Sequence, residues 1–395
     1  MICAMLDLRA DFSHFLQGQA PKLFFTAHSH HPWPDATRAA HLAAWDLAAR
    51  EMGGKWTEVL GPVWQEAQRH VAGHLNLPDP GTICFAPNTH EFVGRILSTL
   101  PERPRILSTT GEFHSFARQV ARLEEEGLVH VTRIPSEPGA DCLARLAEAA
   151  RGSAFDLVWI SQVFFNSGFA LELGELAGLP GEVPLVIDGY HGFMARPTDL
   201  GALAGRAFYL SGGYKYAMGG EGCAFLHCPP GTLPRPRNTG WYAAFGDLSG
   251  PQEGVPYAAD GMRFMGATFD PSGLFRLNAT MRWLAGRGVT PREIHAHSQA
   301  LQARFLAGAT ALDPARLVLP EAARLVVPEA ARRGNFLCYD LPDAAAWSDR
   351  LDALGIVTDR RGTRLRFGFG LHQAAEEVDA ALDRLRGAVR TAMPA

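Results

Sequence analysis

Lysine is scarce in this chain. Lysine and arginine together number 37, yet only Lys22, Lys55 and Lys215 are lysines. Lys215 stands in "SGGYKYAMGGEG", residues 211–222, among Gly212, Gly213, Gly219, Gly220 and Gly222. Arginine stays protonated and is no amine nucleophile, whereas lysine can lose its proton in an apolar pocket and attack a carbonyl. Glycines let the backbone turn tightly and let a flat ligand come close. Tyr214 and Tyr216 would screen the amine from water, and burial lowers an amine's pKa. A solvated loop lysine fits the same letters, so the surroundings must decide.

Asp188 ends the apolar run "VPLVI", 27 positions before Lys215. A carboxylate at the carboxyl end of a strand in an open α/β sheet faces the usual ligand crevice. Pyridoxal phosphate (PLP) needs an acid there, to keep its ring nitrogen protonated so that the ring can act as an electron sink. His191, in "DGYHGF", could bond the cofactor or orient the aspartate. An ordinary turn aspartate and a packed loop histidine would look the same. In "PNTHEFVGRIL", Asn88 can cap a helix with Glu91 as its reciprocal partner. The free N–H groups at that helix start suit a phosphate, helped by Thr89 and His90. Phe113, in "GEFHSF", could stack on a cofactor ring or simply fill a core.

"HSHH" (His28, His30, His31) has no Cys or acidic ligand at a recognised spacing, so no metal is expected. These histidines could line a substrate mouth. GxSxG, Walker and strand-linked GxGxxG patterns are missing, so a hydrolase triad or a nucleotide site lacks its marks.

These residues need a scaffold. From about residue 80, short apolar strands alternate with amphipathic helices, which points to an α/β fold with a mostly parallel sheet covered on both faces. Residues 36–75 read as helices, and 235–268 as loops over the site. After about Pro271 a long helix leads to the strands "NFLCYDL" and "TRLRFGFG" and a closing helix, a smaller α+β domain. The expected division is 1–40, a segment joining the smaller domain and the site mouth; 41–270, the large PLP-binding domain; and 271–395, the small one. The chain is 47% hydrophobic and 20% charged with a net charge of −4. That is the profile of a soluble protein with no footprint for nucleic acid and no membrane span. The six cysteines lack metal-type pairing and read as reduced thiols, and the expected location is cytoplasmic.

The order strand–"DGYH"–"GYKYAMGGEG" resembles the kynureninase branch of the class V aminotransferase group, fold-type I PLP-dependent enzymes. Echoes in "NTHEFVGRIL", "GEFHSF", "VFFNSG", "NTGWYAAF", "RFMGAT" and "LRFGFG" follow in the family's order across most of residues 20–390. The resemblance implies the fold-type I transferase fold and PLP as cofactor. Lys215 would carry the PLP and shuttle protons. Asp188 would meet the ring nitrogen beside His191, and Phe113 would stack on the ring. Thr89, with His90 at the same helix start, and Tyr214 would hold the phosphate. Trp241 and Thr268 would close over it from a partner subunit, since such sites form between the chains of a homodimer. Arg366 would grip an amino acid's α-carboxylate. Two segments depart from the family: "AHSHHPWP" near the N-terminus, and Gly370, Leu371 and His372 after "RFGF". Both border the substrate pocket in relatives.

The implied activity is kynureninase-like hydrolysis of a Cβ–Cγ bond in kynurenine, 3-hydroxykynurenine or a related γ-carbonyl amino acid. The alternatives are a class V aminotransferase or C–S lyase, and a PLP-binding protein without turnover. A cysteine desulfurase would want a mobile cysteine in the small domain, where only Cys338 stands, within an apparent strand.

Overall fold

The computed structural model describes residues 6–19, 21–179, 183–232, 234–247, 254–310 and 323–391; Cys3 lies outside them. In chain order the strands are β1 (Leu23–Phe24), β2 (Ile83–Ala86), β3 (Arg105–Thr109), β4 (His130–Ile134), β5 (Leu157–Ser161), β6 (Leu185–Asp188), β7 (Ala207–Ser211) and β8 (Ala224–His227), then β9 (Arg324–Leu325), β10 (Phe336–Asp340), β11 (Ile356–Val357), β12 (Asp359–Arg361) and β13 (Arg364–Gly368).

Seven strands form the main sheet in the order β2-β8-β7-β6-β5-β3-β4. The run from β7 to β4 is parallel, and β8 pairs antiparallel with both β7 and β2. β5, β6 and β7 are buried at every position, which is why they read as unbroken apolar runs. Four of the five parallel strands close on a polar residue, Thr109, Ser161, Asp188 and Ser211, while β4 at the sheet edge ends on Ile134. The chain moves outward from β3 to β4, then crosses back to put β5 on the other side of β3. That reversal opens a crevice at the carboxyl ends of the strands, and the four polar residues stand along it.

The second sheet, β12-β13-β10-β9, is antiparallel. It covers a smaller core of Leu301, Phe305, Leu337, Leu365, Phe367, Phe369 and their neighbours. The N-terminal segment joins this core through Leu23 and Phe25, with β1 parallel to β11. The single long helix expected after Pro271 is two helices, Ser272–Gly286 and Pro291–Thr310. Gly288 takes a left-handed φ of +65°, which ends the first, and Pro291 starts the second. Leu274, Leu277, Met281 and Leu284 of the first helix belong to the larger core, while Leu301 and Phe305 of the second belong to the smaller. Among the described residues no helix is long and apolar enough to cross a membrane.

Phe305 is fully buried, with its ring centre 5.0 Å from Phe367, 6.2 Å from Phe369 and 6.3 Å from Phe25. Phe305→Ala should therefore destabilise the chain by about 3–5 kcal/mol in urea unfolding. A loss under about 1 kcal/mol would mean that this aromatic cluster is not a core.

Candidate active site

Lys215 lies in the loop between β7 and β8, beyond the polar end of β7. Gly220 has φ +74°, and a Cβ there would fall 2.3 Å from the Trp33 ring. A Cβ on Gly212 would fall 2.3 Å from the Tyr190 hydroxyl. These two glycines let the loop fold flat against aromatic side chains. Tyr216 fixes the loop from below, its hydroxyl 2.8 Å from the Phe369 carbonyl and 3.0 Å from that of Asn335. Lys215 is thereby left 5% exposed. Its amine sits 4.4 Å from the centre of the Tyr190 ring, 4.7 Å from Tyr214 and 5.8 Å from Phe113, and donates to the Tyr214 hydroxyl at 3.3 Å. Burial is the main cause that brings its pKa down to about 7.

A cavity of about 210 Å³ opens onto this amine. Asn88, Thr89 and His90 line one end, at the start of the helix Thr89–Leu97. Asn88 caps that helix by accepting the Glu91 N–H at 3.2 Å. The reciprocal half of the cap is not made, because the Glu91 carboxylate turns to Arg95 at 2.7 Å. Phe113, Phe165 and Tyr190 form aromatic walls, and Ser161, Asp188, His191, Tyr214 and Lys215 supply polar groups. Asp188 accepts the Tyr190 N–H at 3.0 Å, and burial raises its pKa. Burial keeps His191 neutral, with Lys215 opposing its charge as well, and its Nδ1 has no hydrogen-bond partner. Beside Asp188, the buried Glu112 accepts from the Thr109 and Ser161 hydroxyls, each at 2.6 Å. Burial pushes this carboxyl up to about 8.

The fold thus brings Thr89, His90, Phe113, Asp188, His191, Tyr214 and Lys215 to one cavity. It does not bring Trp241 or Thr268 there within a single chain. Both are exposed, and Trp241 packs on Tyr242 and Phe245. Arg366 is buried nearby on β13, where it donates to the carbonyl of Phe165, itself a cavity wall, and to Asp359. Tyr190, Glu112 and Asp359 also stand in or beside the site, in addition to the residues expected from the sequence. Tyr190 lies inside "DGYH" and Glu112 inside "GEFHSF", but the burial that gives them their place at the site is set by packing and leaves no local mark in the sequence.

The sequence matches no protein-family model and no curated protein. Solved structures match over nearly the whole chain. A C-DES variant with glycine covalently linked to its PLP cofactor has a TM-score of 0.79 at 19% identity, covering 96% of this chain and 99% of that one. The cysteine desulfurase of Thermococcus onnurineus NA1 has a TM-score of 0.80 at 17% identity, covering 98% and 99%. The cysteine desulfurase CsdA of Escherichia coli has a TM-score of 0.79 at 17% identity, covering 97% and 98%. The chain has the fold-type I architecture of these neighbours, an α/β fold with a mixed seven-stranded central sheet. These neighbours carry that broad resemblance and not its kynureninase detail.

Because the chain has three lysines, each can be followed in a peptide digest. Competitive acetylation should show Lys215 reactivity rising with pH and levelling above about 7, since only the free base reacts. Half-reaction near its ordinary value of 10.5 would contradict the desolvated site.

Proposed function

We propose that this chain is a PLP-dependent enzyme acting on an α-amino acid, of the C–S lyase type. The observation that carries the proposal is the buried Lys215 amine, which shares one strand-end cavity with Asp188 and a capped helix start. These residues fit the cofactor. The amine is uncharged in part at neutral pH, Asp188 is a buried acid suited to a ring nitrogen, and His191 Nδ1 is unpartnered. Thr89, the N–H groups of its helix and the Tyr214 hydroxyl would hold the phosphate. Phe113 would stack on the ring. Bound there, PLP would supply an electron sink for charge developing at the amino acid's Cα.

The chain's own groups then have defined work. The free amine of Lys215 can take the Cα proton and return it. Its pKa of about 7 matches a group that must do both near neutral pH. Arg366 would hold the α-carboxylate. For an S-substituted cysteine, the Cβ–S bond breaks and the thiol leaves with the electron pair and a proton. Hydration of the remainder gives pyruvate and ammonium.

A lyase that releases its sulfur product suits this chain better than a desulfurase that passes sulfur to a cysteine of its own. The neighbours include a cystine C–S lyase in complex with its product, cysteine persulfide. Among the described residues the cysteines, Cys84, Cys142, Cys223, Cys228 and Cys338, are all buried. Cys338 is fixed within β10, and burial pushes its thiol up to about 12. A second reading is kynureninase-like hydrolysis. It is favoured by "DGYH", "GYKY" and the aromatic walls Phe113, Phe165 and Tyr190, which suit an aryl substrate. A homodimer belongs to both readings, since Trp241 and Thr268 do not line the cavity of one chain and would come to it from a second copy.

The test is a product assay on PLP-loaded protein without added keto acid. Pyruvate and thiol from cystine or S-alkylcysteines are the expected products. Alanine with anthranilate from kynurenine would instead establish the second reading. Lys215→Ala should lose at least about 10³-fold in turnover and no longer be labelled by borohydride at this loop. Arg366→Ala should weaken amino-acid binding about 10-fold or more while PLP retention is unchanged. Equal loss of both would remove Arg366 from the substrate's carboxylate.

A further inference from the structure

Arg366 and Asp359 stand directly opposite each other on β13 and β12. Their side chains are 3% and 13% exposed. Arg366 Nη2 donates to Asp359 Oδ2, Nη1 donates to the Phe165 carbonyl, and Nε has no partner. The guanidinium proposed to receive an amino acid's carboxylate therefore already holds one from the chain itself. Two carboxylates sharing one buried guanidinium repel each other, so an arriving ligand must displace the resident.

His28 offers the displaced carboxylate a place to go. Its ring is fully buried, and neither nitrogen has a hydrogen-bond partner. An unpartnered buried imidazole is costly and calls for a reason. The ring is held by stacking on Phe336, with centres 4.4 Å apart and planes at 26°. Gly368 makes room for it, since a Cβ there would fall 2.2 Å from His28 Nδ1. His28 Nε2 lies 3.6 Å from Asp359 Oδ2, the same oxygen that accepts from Arg366. That is too long for a hydrogen bond, and a shift of under about 1 Å would make one. Burial, then the charges of Arg366 and Lys215, keep the ring neutral, so it can present an N–H to a carboxylate without taking up a proton. Arg361, 3.6 Å from the other Asp359 oxygen, adds a second cation on the solvent side.

We propose that Asp359 is a resident stand-in for the substrate's α-carboxylate, and that His28 is the positioning residue that accepts Asp359 when the two carboxylates exchange on Arg366. The proposal rests on the reading of Arg366 as the amino acid's carboxylate partner. It assigns a task to "HSHH", which departs from the resembled family in this segment.

The test measures binding, not turnover, in two forms of the protein. L-Alanine is titrated into the PLP-loaded chain, and acetate into the chain without PLP, both by calorimetry. Asp359→Asn, which keeps the shape and removes the charge, should tighten both ligands about tenfold. Asp359→Ser must act in the same direction. His28→Ala should weaken both several-fold in the parent and have no effect in the Asp359→Asn background, with His28→Asn restoring part of the loss. Weaker binding by both Asp359 variants would overturn the proposal and make Asp359 a fixed support for Arg366. A His28 effect that persists without the Asp359 charge would remove His28 from the exchange. If acetate behaves as stated while no form binds L-alanine, the exchange stands and the amino-acid reading falls.

Discussion

The site depends on one constraint, the removal of a lysine amine from water without a carboxylate bonded to it. An ammonium in that position is costly, and the chain keeps it there by surrounding it with Tyr190, Tyr214 and Phe113. The surrounding geometry follows from that. The loop must lie flat, which requires glycine at 212 and 220. It must not lift into solvent, which the Tyr216 hydroxyl prevents by bonding the Asn335 and Phe369 carbonyls beside the smaller sheet. Asp188 and Arg366 act on the amine in opposite senses through space, the aspartate favouring its charge and the arginine opposing it.

The three histidines of the N-terminal segment show how much context decides. His31 is a structural clip. Its Nε2 accepts the Leu371 N–H at 3.0 Å, so Nδ1 carries the proton and meets the Pro32 carbonyl at 2.8 Å. His30 stacks on Tyr214, 5.2 Å between ring centres, and so braces an aromatic wall of the cavity. His28 alone is both buried inside and unpartnered. One short stretch thus joins the lysine loop, the smaller core and the arginine, and it does so where the sequence departs from the family it resembles.

The fold was legible because burial leaves a direct trace in sequence. Strands covered on both faces are apolar throughout, and their polar last residues mark the crevice. Lys215 and Asp188 could be read because a rare lysine among glycines and an acid closing an apolar run are local signals. Asn88 as a cap was equally local, although its reciprocal partner was not, since Glu91 had Arg95 one turn on. Asp359 was not legible. It sits in a charged stretch, "DRRGTR", that reads as a solvated hairpin, and only strand register sets it against Arg366.

The sequence by itself determined the layered architecture, the lone lysine in its glycine-rich loop and the acid at the strand end, because each follows from the composition of a few consecutive residues. Tertiary structure decided which groups face one another: the exposure of Trp241, the burial of His28 and the occupation of Arg366 by Asp359. Those relations join residues up to several hundred positions apart. Their energies depend on distance and desolvation, which only the packed chain defines.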